Sequence, residues 1–175
     1  MRHPGTLLAL PLLLLAGACG PARMTYVPNP PMSGAPNIRL KVVVLPFLVP
    51  GAAAQDPHAP RLDGEDWGRF LADDLLSAGV FSTVRFVPRL EAAEDADLVL
   101  RGRIVRAFLD PRTPSRPRFE AHLAAQRRDD GRTFWEGTLR FELDCSALKP
   151  AEVLPRILHD LFRQAREGLV AGLRG

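Results

Sequence analysis

Two rhythms of apolar positions run through the chain after residue 37. One is the three-and-four spacing of an amphipathic helix. It occurs at Trp67, Phe70, Leu71, Leu75 and Ala78, and predicts a helix over 65–78. Asp63 would cap it, Asp66 would lie in its first turn, and Gly79 would stop it. The same spacing returns at Leu154, Ile157, Leu158, Leu161, Phe162, Ala165, Leu169 and Leu173, and predicts a second helix over 151–172. Pro155 must sit in its first turn or kink it. The other rhythm belongs to strands. Val42, Val43, Val44 and Leu45 form an unbroken apolar run, as expected of a strand covered on both faces. They lie in a first strand over 38–49 that Pro46 interrupts. A second strand over 81–87 closes at Pro88, and a short helical turn over 89–95 follows. A third strand, 97–109, interleaves Leu98, Leu100, Gly102, Ile104 and Ala107 with Arg101, Arg103 and Arg106, and Gly102 signals a bulge or a close backbone approach. Strands over 118–128 and 132–144 flank Asp129-Asp130-Gly131, a hairpin turn, and the last carries Phe134, Trp135, Leu139, Phe141 and Leu143. The order βαβ(α)βββα predicts an α/β (α+β) fold, a single mixed β-sheet of about five strands with helices packed on it. Asp73 and Asp74 splay about 100° apart on the first helix. They fall off its apolar stripe, and a solvated face is expected for both.

The amino end is patterned differently. Arg2 precedes an apolar run from Leu7 to Leu15, too short for a permanent span, which needs about 20 apolar residues. Residues 1–18 therefore read as a signal peptide. Leu15-Ala16-Gly17-Ala18-Cys19 resembles a bacterial lipobox, with Ala16 where leucine commonly stands. The resemblance implies that Cys19 is lipidated and anchors the protein to a membrane. Gly20 rather than aspartate follows, which implies the outer membrane, with the body on its periplasmic face. The alternative is a plain secretory signal cut near Ala18, which leaves Cys19 a free thiol. Residues 19–37 form a tether holding Pro21, Pro28, Pro30, Pro31 and Pro36, where neither helix nor sheet is expected. Fully extended, it would reach about 55 Å. Residues 38–175 form the periplasmic domain.

Composition narrows the function. The 175 residues are 46% apolar and 25% charged, enough to bury one ordinary core. Net charge is +3, too small an excess for nucleic acid to be an expected partner. Two cysteines, Cys19 and Cys145, exclude a disulfide framework, and Cys145 is expected to pack as a small apolar side chain. His58, His122 and His159 lie in separate segments. Glu120 and His122 share one strand face without an evident third ligand. The chain shows no nucleotide-binding glycine motif and no G-x-S-x-G turn, so catalytic residues, cofactor and metal are all expected to be none. Arginine dominates the basic residues. Arg101, Arg103, Arg106, Arg112, Arg116 and Arg118 form a possible contact patch for an anionic partner, or else a solvated strand face. The loops 51–64 and 110–117 are the expected contact segments.

Three stretches in this order resemble one group of bacterial envelope lipoproteins. They are Val42–Phe47 (VVVLPF), Ala96–Ile104 (ADLVLRGRI) and Arg127–Gly137 (RRDDGRTFWEG). The group includes the curli secretion lipoprotein CsgG, PelC, LpoB and the N-terminal domain of TolB. The resemblance implies their fold and a way of life, not an active site. The chain is too short for the membrane-spanning hairpins of the curli protein. The function expected is that of a non-enzymatic accessory or assembly factor of an envelope or secretion machine. It would act through protein contacts and could form a homo-oligomer. A regulator docking on a periplasmic cell-wall synthase and a lipoprotein hydrolase are the alternatives.

Overall fold

A computed structural model describes residues 24–35, 38–49, 62–108, 116–142 and 144–174. The signal peptide with Cys19, most of both loops expected to make contacts, and Arg112 lie outside the described residues. Strands β1 (Ile38–Val44), β2 (Phe81–Phe86), β3 (Leu98–Phe108), β4 (Arg118–Arg127) and β5 (Thr133–Glu142) form one mixed sheet in the order β2-β1-β3-β4-β5. Two helices, α1 (Gly64–Ala78) and α2 (Pro150–Arg174), and a 3₁₀ turn at Leu90–Ala93 complete the fold. β1 runs parallel to both β2 and β3, whereas β3, β4 and β5 are antiparallel. This is the expected α+β architecture.

Each element has a local cause. The Asp63 side chain accepts from the Asp66 amide (2.8 Å), and the Asp66 carboxylate accepts from the Asp63 amide (3.3 Å), a reciprocal cap. Gly79 ends α1 in the left-handed conformation (φ 70°). Trp67, Leu71, Leu75 and Ala78 are buried as the spacing required, and Phe70 is half-buried. Pro155, expected in the first turn or at a kink, is the sixth residue of α2. It deprives the helix of one amide donor there.

The apolar run of β1 serves two cores. Val42 and Val44 face the main core with α1 and α2, while Val43 and Leu45 join Val87, Ala93, Ala96 and Val99 in a smaller cluster on the other face. The 3₁₀ turn supplies Ala93 to that second cover, so the turn, not a helix, makes β1 two-sided. Beyond Pro46 the chain rejoins the sheet. The Leu48 amide donates to the Gly102 carbonyl (2.8 Å), and the Ile104 amide donates to Leu48 (2.8 Å). Gly102 is where the Phe47 ring crosses β3, and a Cβ there would stand 2.3 Å from the ring. The bulge lies further on, between Ile104 and Arg106.

Candidate interaction site

On β3, β4 and β5 the period of two sorts side chains cleanly. Leu100, Ile104, Phe119, Ala121, Leu123, Ala125, Leu139 and Phe141 are buried beneath the helices. The opposite face, beyond Val99 under the 3₁₀ turn, carries the polar set, which is exposed or half-buried. Arg101 lies across from Ala124, Arg103 from His122, and Arg106 from Glu120. In the next rank Glu120 lies across from Arg140, His122 from Thr138, and Arg118 from Glu142. The bulge at Val105 leaves both Val105 and Arg106 exposed. Arg118 pairs with Glu142 (3.2 Å) and Arg140 with Glu120 (3.6 Å). Such exposed pairs contribute about 0–1 kcal/mol each, so they set a charge pattern more than a stability.

Five of the six arginines expected in the patch are described, and all are exposed. Arg101, Arg103, Arg106 and Arg118 come together on this face, and Arg116 stands at its rim beside a shallow depression of ≈ 280 Å³ that Arg118, Glu142 and Asp144 also line. Arg140 belongs to the same face and was missed. Its place in the alternation of β5, two residues from Thr138 and from Glu142, was the available signal. Glu120 and His122 are half-buried neighbours on it. Among the described residues no cluster of three or more His, Cys, Asp or Glu could hold a metal ion. Cys145 is buried in the main core, and burial pushes its thiol up.

A second polar assembly lies on the other side of the molecule, where the sequence pointed to solvent. Asp74 is fully buried, contrary to expectation, while Asp73 beside it is exposed. The reason is a segment expected to be free tether. No helix or strand forms over residues 24–35, as their prolines dictate, yet this stretch is packed onto α1 and α2 as a strap. The Tyr26 hydroxyl donates to Asp74 Oδ1 (2.6 Å), as do the Asn29 amide (2.8 Å) and Asn29 Nδ2 (3.0 Å). From α2, Arg166 Nε stands 3.1 Å from Asp74 Oδ2, an ion pair without hydrogen-bond alignment, and Arg166 Nη1 donates to the Pro30 carbonyl (3.0 Å).

Further contacts tie the strap down. The Val27 carbonyl lies 2.7 Å from His159 Nε2, the Ser77 hydroxyl donates to the Asn29 carbonyl (3.0 Å), and the Met32 amide donates to Ala78 (3.3 Å). The Tyr26 ring packs against Phe70, His159 and Phe162 with centroids 5.3–5.5 Å apart. Removing one partner of such a buried pair typically costs 3–5 kcal/mol, because the other charge is left without compensation. Burial, with the Asp74 carboxylate beside it, pushes the Tyr26 phenol well above its usual value.

Neither a protein-family model nor a curated protein matches the sequence. Solved structures do match the fold. A Xanthomonas campestris protein of the DUF330 family aligns over 86% of this chain and 94% of its own, at 12% identity and TM-score 0.66. A PelC dodecamer from Paraburkholderia phytofirmans aligns over 73% and 90%, at 19% identity and TM-score 0.55. A hypothetical protein from Chlamydia trachomatis aligns over 75% and 96%, at 9% identity and TM-score 0.56. The chain is thus similar in fold to PelC, one of the proteins its sequence motifs resemble. Among the described residues no helix is long and apolar enough to cross a membrane.

Proposed function

We propose that this chain is a lipid-anchored protein of the outer membrane, held there through Cys19. It serves as a non-enzymatic accessory or assembly factor of an envelope or secretion machine. The observation that carries this reading is the polar face of β3–β5, where Arg101, Arg103, Arg106, Arg118 and Arg140 outnumber Glu120, Glu136 and Glu142. Interleaved charges of both signs suit a protein surface of complementary pattern. A polyanion would meet the glutamates as well as the arginines. Among the described residues the buried polar side chains, Asn29, Asp74 and Arg166, are each used to hold the strap. That supports a body built to present a surface. PelC, of similar fold, is a dodecamer, and a homo-oligomer belongs to the proposal.

The test is photocrosslinking in cells from a reactive residue at Thr138, with and without Arg101→Glu and Arg103→Glu. A discrete protein adduct is expected, lost in the doubly substituted chain. Native protein with an unmodified Cys19 thiol, recovered outside the membrane fraction, would sink the proposal, as would an adduct indifferent to both substitutions.

A further inference from the structure

The strap decides more than stability. Its first described residue, Met24, is itself packed against the main core. Its polar contacts run to Asp74, Ser77 and Ala78 of α1 and to His159 and Arg166 of α2. It therefore lies in the furrow between the helices, which have the sheet on their other side. The arginine face is the far side of that sheet, so strap and arginines occupy opposite faces of the molecule.

Chain length then limits what can reach the membrane. Five peptide steps separate Cys19 from Met24, about 18 Å at full stretch. A compact body of this size has a radius of gyration of about 15 Å and is roughly 40 Å across. A link so short cannot lead round to the sheet face. Some exposed charges of the helix side are paired, Arg163 with Asp160 and Glu167, and Arg69 with Glu65, whereas Asp73 on α1 and Arg156 on α2 are exposed without an ion pair among the described residues. Val27 on the strap and Leu76 on α1 are exposed apolar side chains, 69% and 53% accessible, and the arginine side carries two as well, Leu48 and Val105, so it is the short link and not apolar exposure that sets the two faces apart.

We infer that the strap is an orienting arm: docked on the Asp74–Arg166 pair, it holds the α1/α2 side against the bilayer that anchors Cys19 and turns the arginine face of β3–β5 away from it. This rests on the lipidation proposed above. It also deepens that proposal, because the arginines are then out of reach of the anchoring membrane's headgroups and open to a protein in the aqueous space.

The experiment uses the chain from Cys19 onward, with a phospholipid coupled chemically to the Cys19 thiol; Cys145 is buried and does not compete. The protein is bound to phosphatidylcholine vesicles containing a spin-labelled acyl chain as quencher. A fluorescent amino acid is placed at Asp73 on α1 or at Thr138 on β5, both exposed. Several-fold stronger quenching at Asp73 than at Thr138 is expected. A long Gly-Ser spacer inserted between Cys19 and Met24 should bring the two together. Equal quenching in the chain without the spacer, or stronger quenching at Thr138, overturns the inference, and so does a difference that the spacer leaves intact. Because the lipid is attached by hand, these outcomes are independent of native lipidation, which mass spectrometry of the cellular protein reads separately.

Discussion

The Asp74 carboxylate accepts three hydrogen bonds on one oxygen and faces the Arg166 guanidinium with the other, all without access to water. Tyr26 closes this cluster, and it is the only tyrosine in the chain, so its ionisation can be followed alone. Burial first, then the hydrogen bond to Asp74 and the negative charge there, disfavour the phenolate and raise its pKa. In the unfolded chain the phenol titrates near 10. A folded-state pKa above the unfolded one means that the stabilisation is fully present below pH 10 and is lost as the pH climbs beyond it. Near-ultraviolet absorbance should therefore show the native phenol ionising at higher pH than that of the urea-unfolded chain, which ionises near 10. Stability should fall above pH 10 in the parent chain by more than in Tyr26→Phe. A native phenol that titrates at its ordinary value would contradict the geometry of the strap.

At the scale of elements, β5 is an edge strand that needs protection from pairing with other chains. Gln164 on α2 provides it. Its Oε1 accepts from the Arg140 amide (3.0 Å), and its Nε2 donates to the Arg140 carbonyl (2.7 Å). The side-chain amide thus occupies the place of one peptide of a neighbouring strand. Gln164→Ala should cost about 1–2 kcal/mol, the net value of the two bonds. It should also open the edge, so that sedimentation velocity shows concentration-dependent association absent from the parent chain. Trp135 is placed at this same seam. A Cβ at Gly168 or Gly172 of α2 would stand 2.5 or 2.7 Å from Trp135 atoms, so only glycines let the helix close over the indole.

For the whole molecule, residues 24–35 belong to the packed body and not to a free linker. Deleting them removes the Tyr26 ring from the core and three donors from Asp74. Hydrogen bonds to a charged group contribute about 1.5–3 kcal/mol each, and burying an aromatic side chain adds a comparable amount. The deleted chain regains water at Asp74 and Arg166, which offsets part of the loss. A net cost of about 3 kcal/mol is expected, read by calorimetry as a drop in Tm of roughly 6–12 °C. An unchanged Tm would return the strap to the status of a tether.

The elements were legible in the sequence because their signals are local. The spacing of Leu154 to Leu173 requires a helix, Asp63 and Gly79 mark the ends of α1, and alternation on β3 to β5 separates Arg101 and Arg103 from Leu100 and Ile104 whatever the neighbours are. The shared face of Arg101, Arg103, Arg106 and Arg118 was legible for the same reason, and Arg140 joins it only through the pairing of β4 with β5. Asp74 was not legible. A helical wheel places a charge relative to its own helix, and the partners of this one come from 45 and 48 residues before it in the chain, and from α2. Proline content excluded helix and strand for the strap but carried no information about docking, since side chains of Tyr26 and Asn29 find their contacts in three dimensions. Local stereochemistry thus settled which segments are helix or strand and which residues face water along them. Long-range packing alone decided that a buried charge binds the amino-terminal segment to the helices.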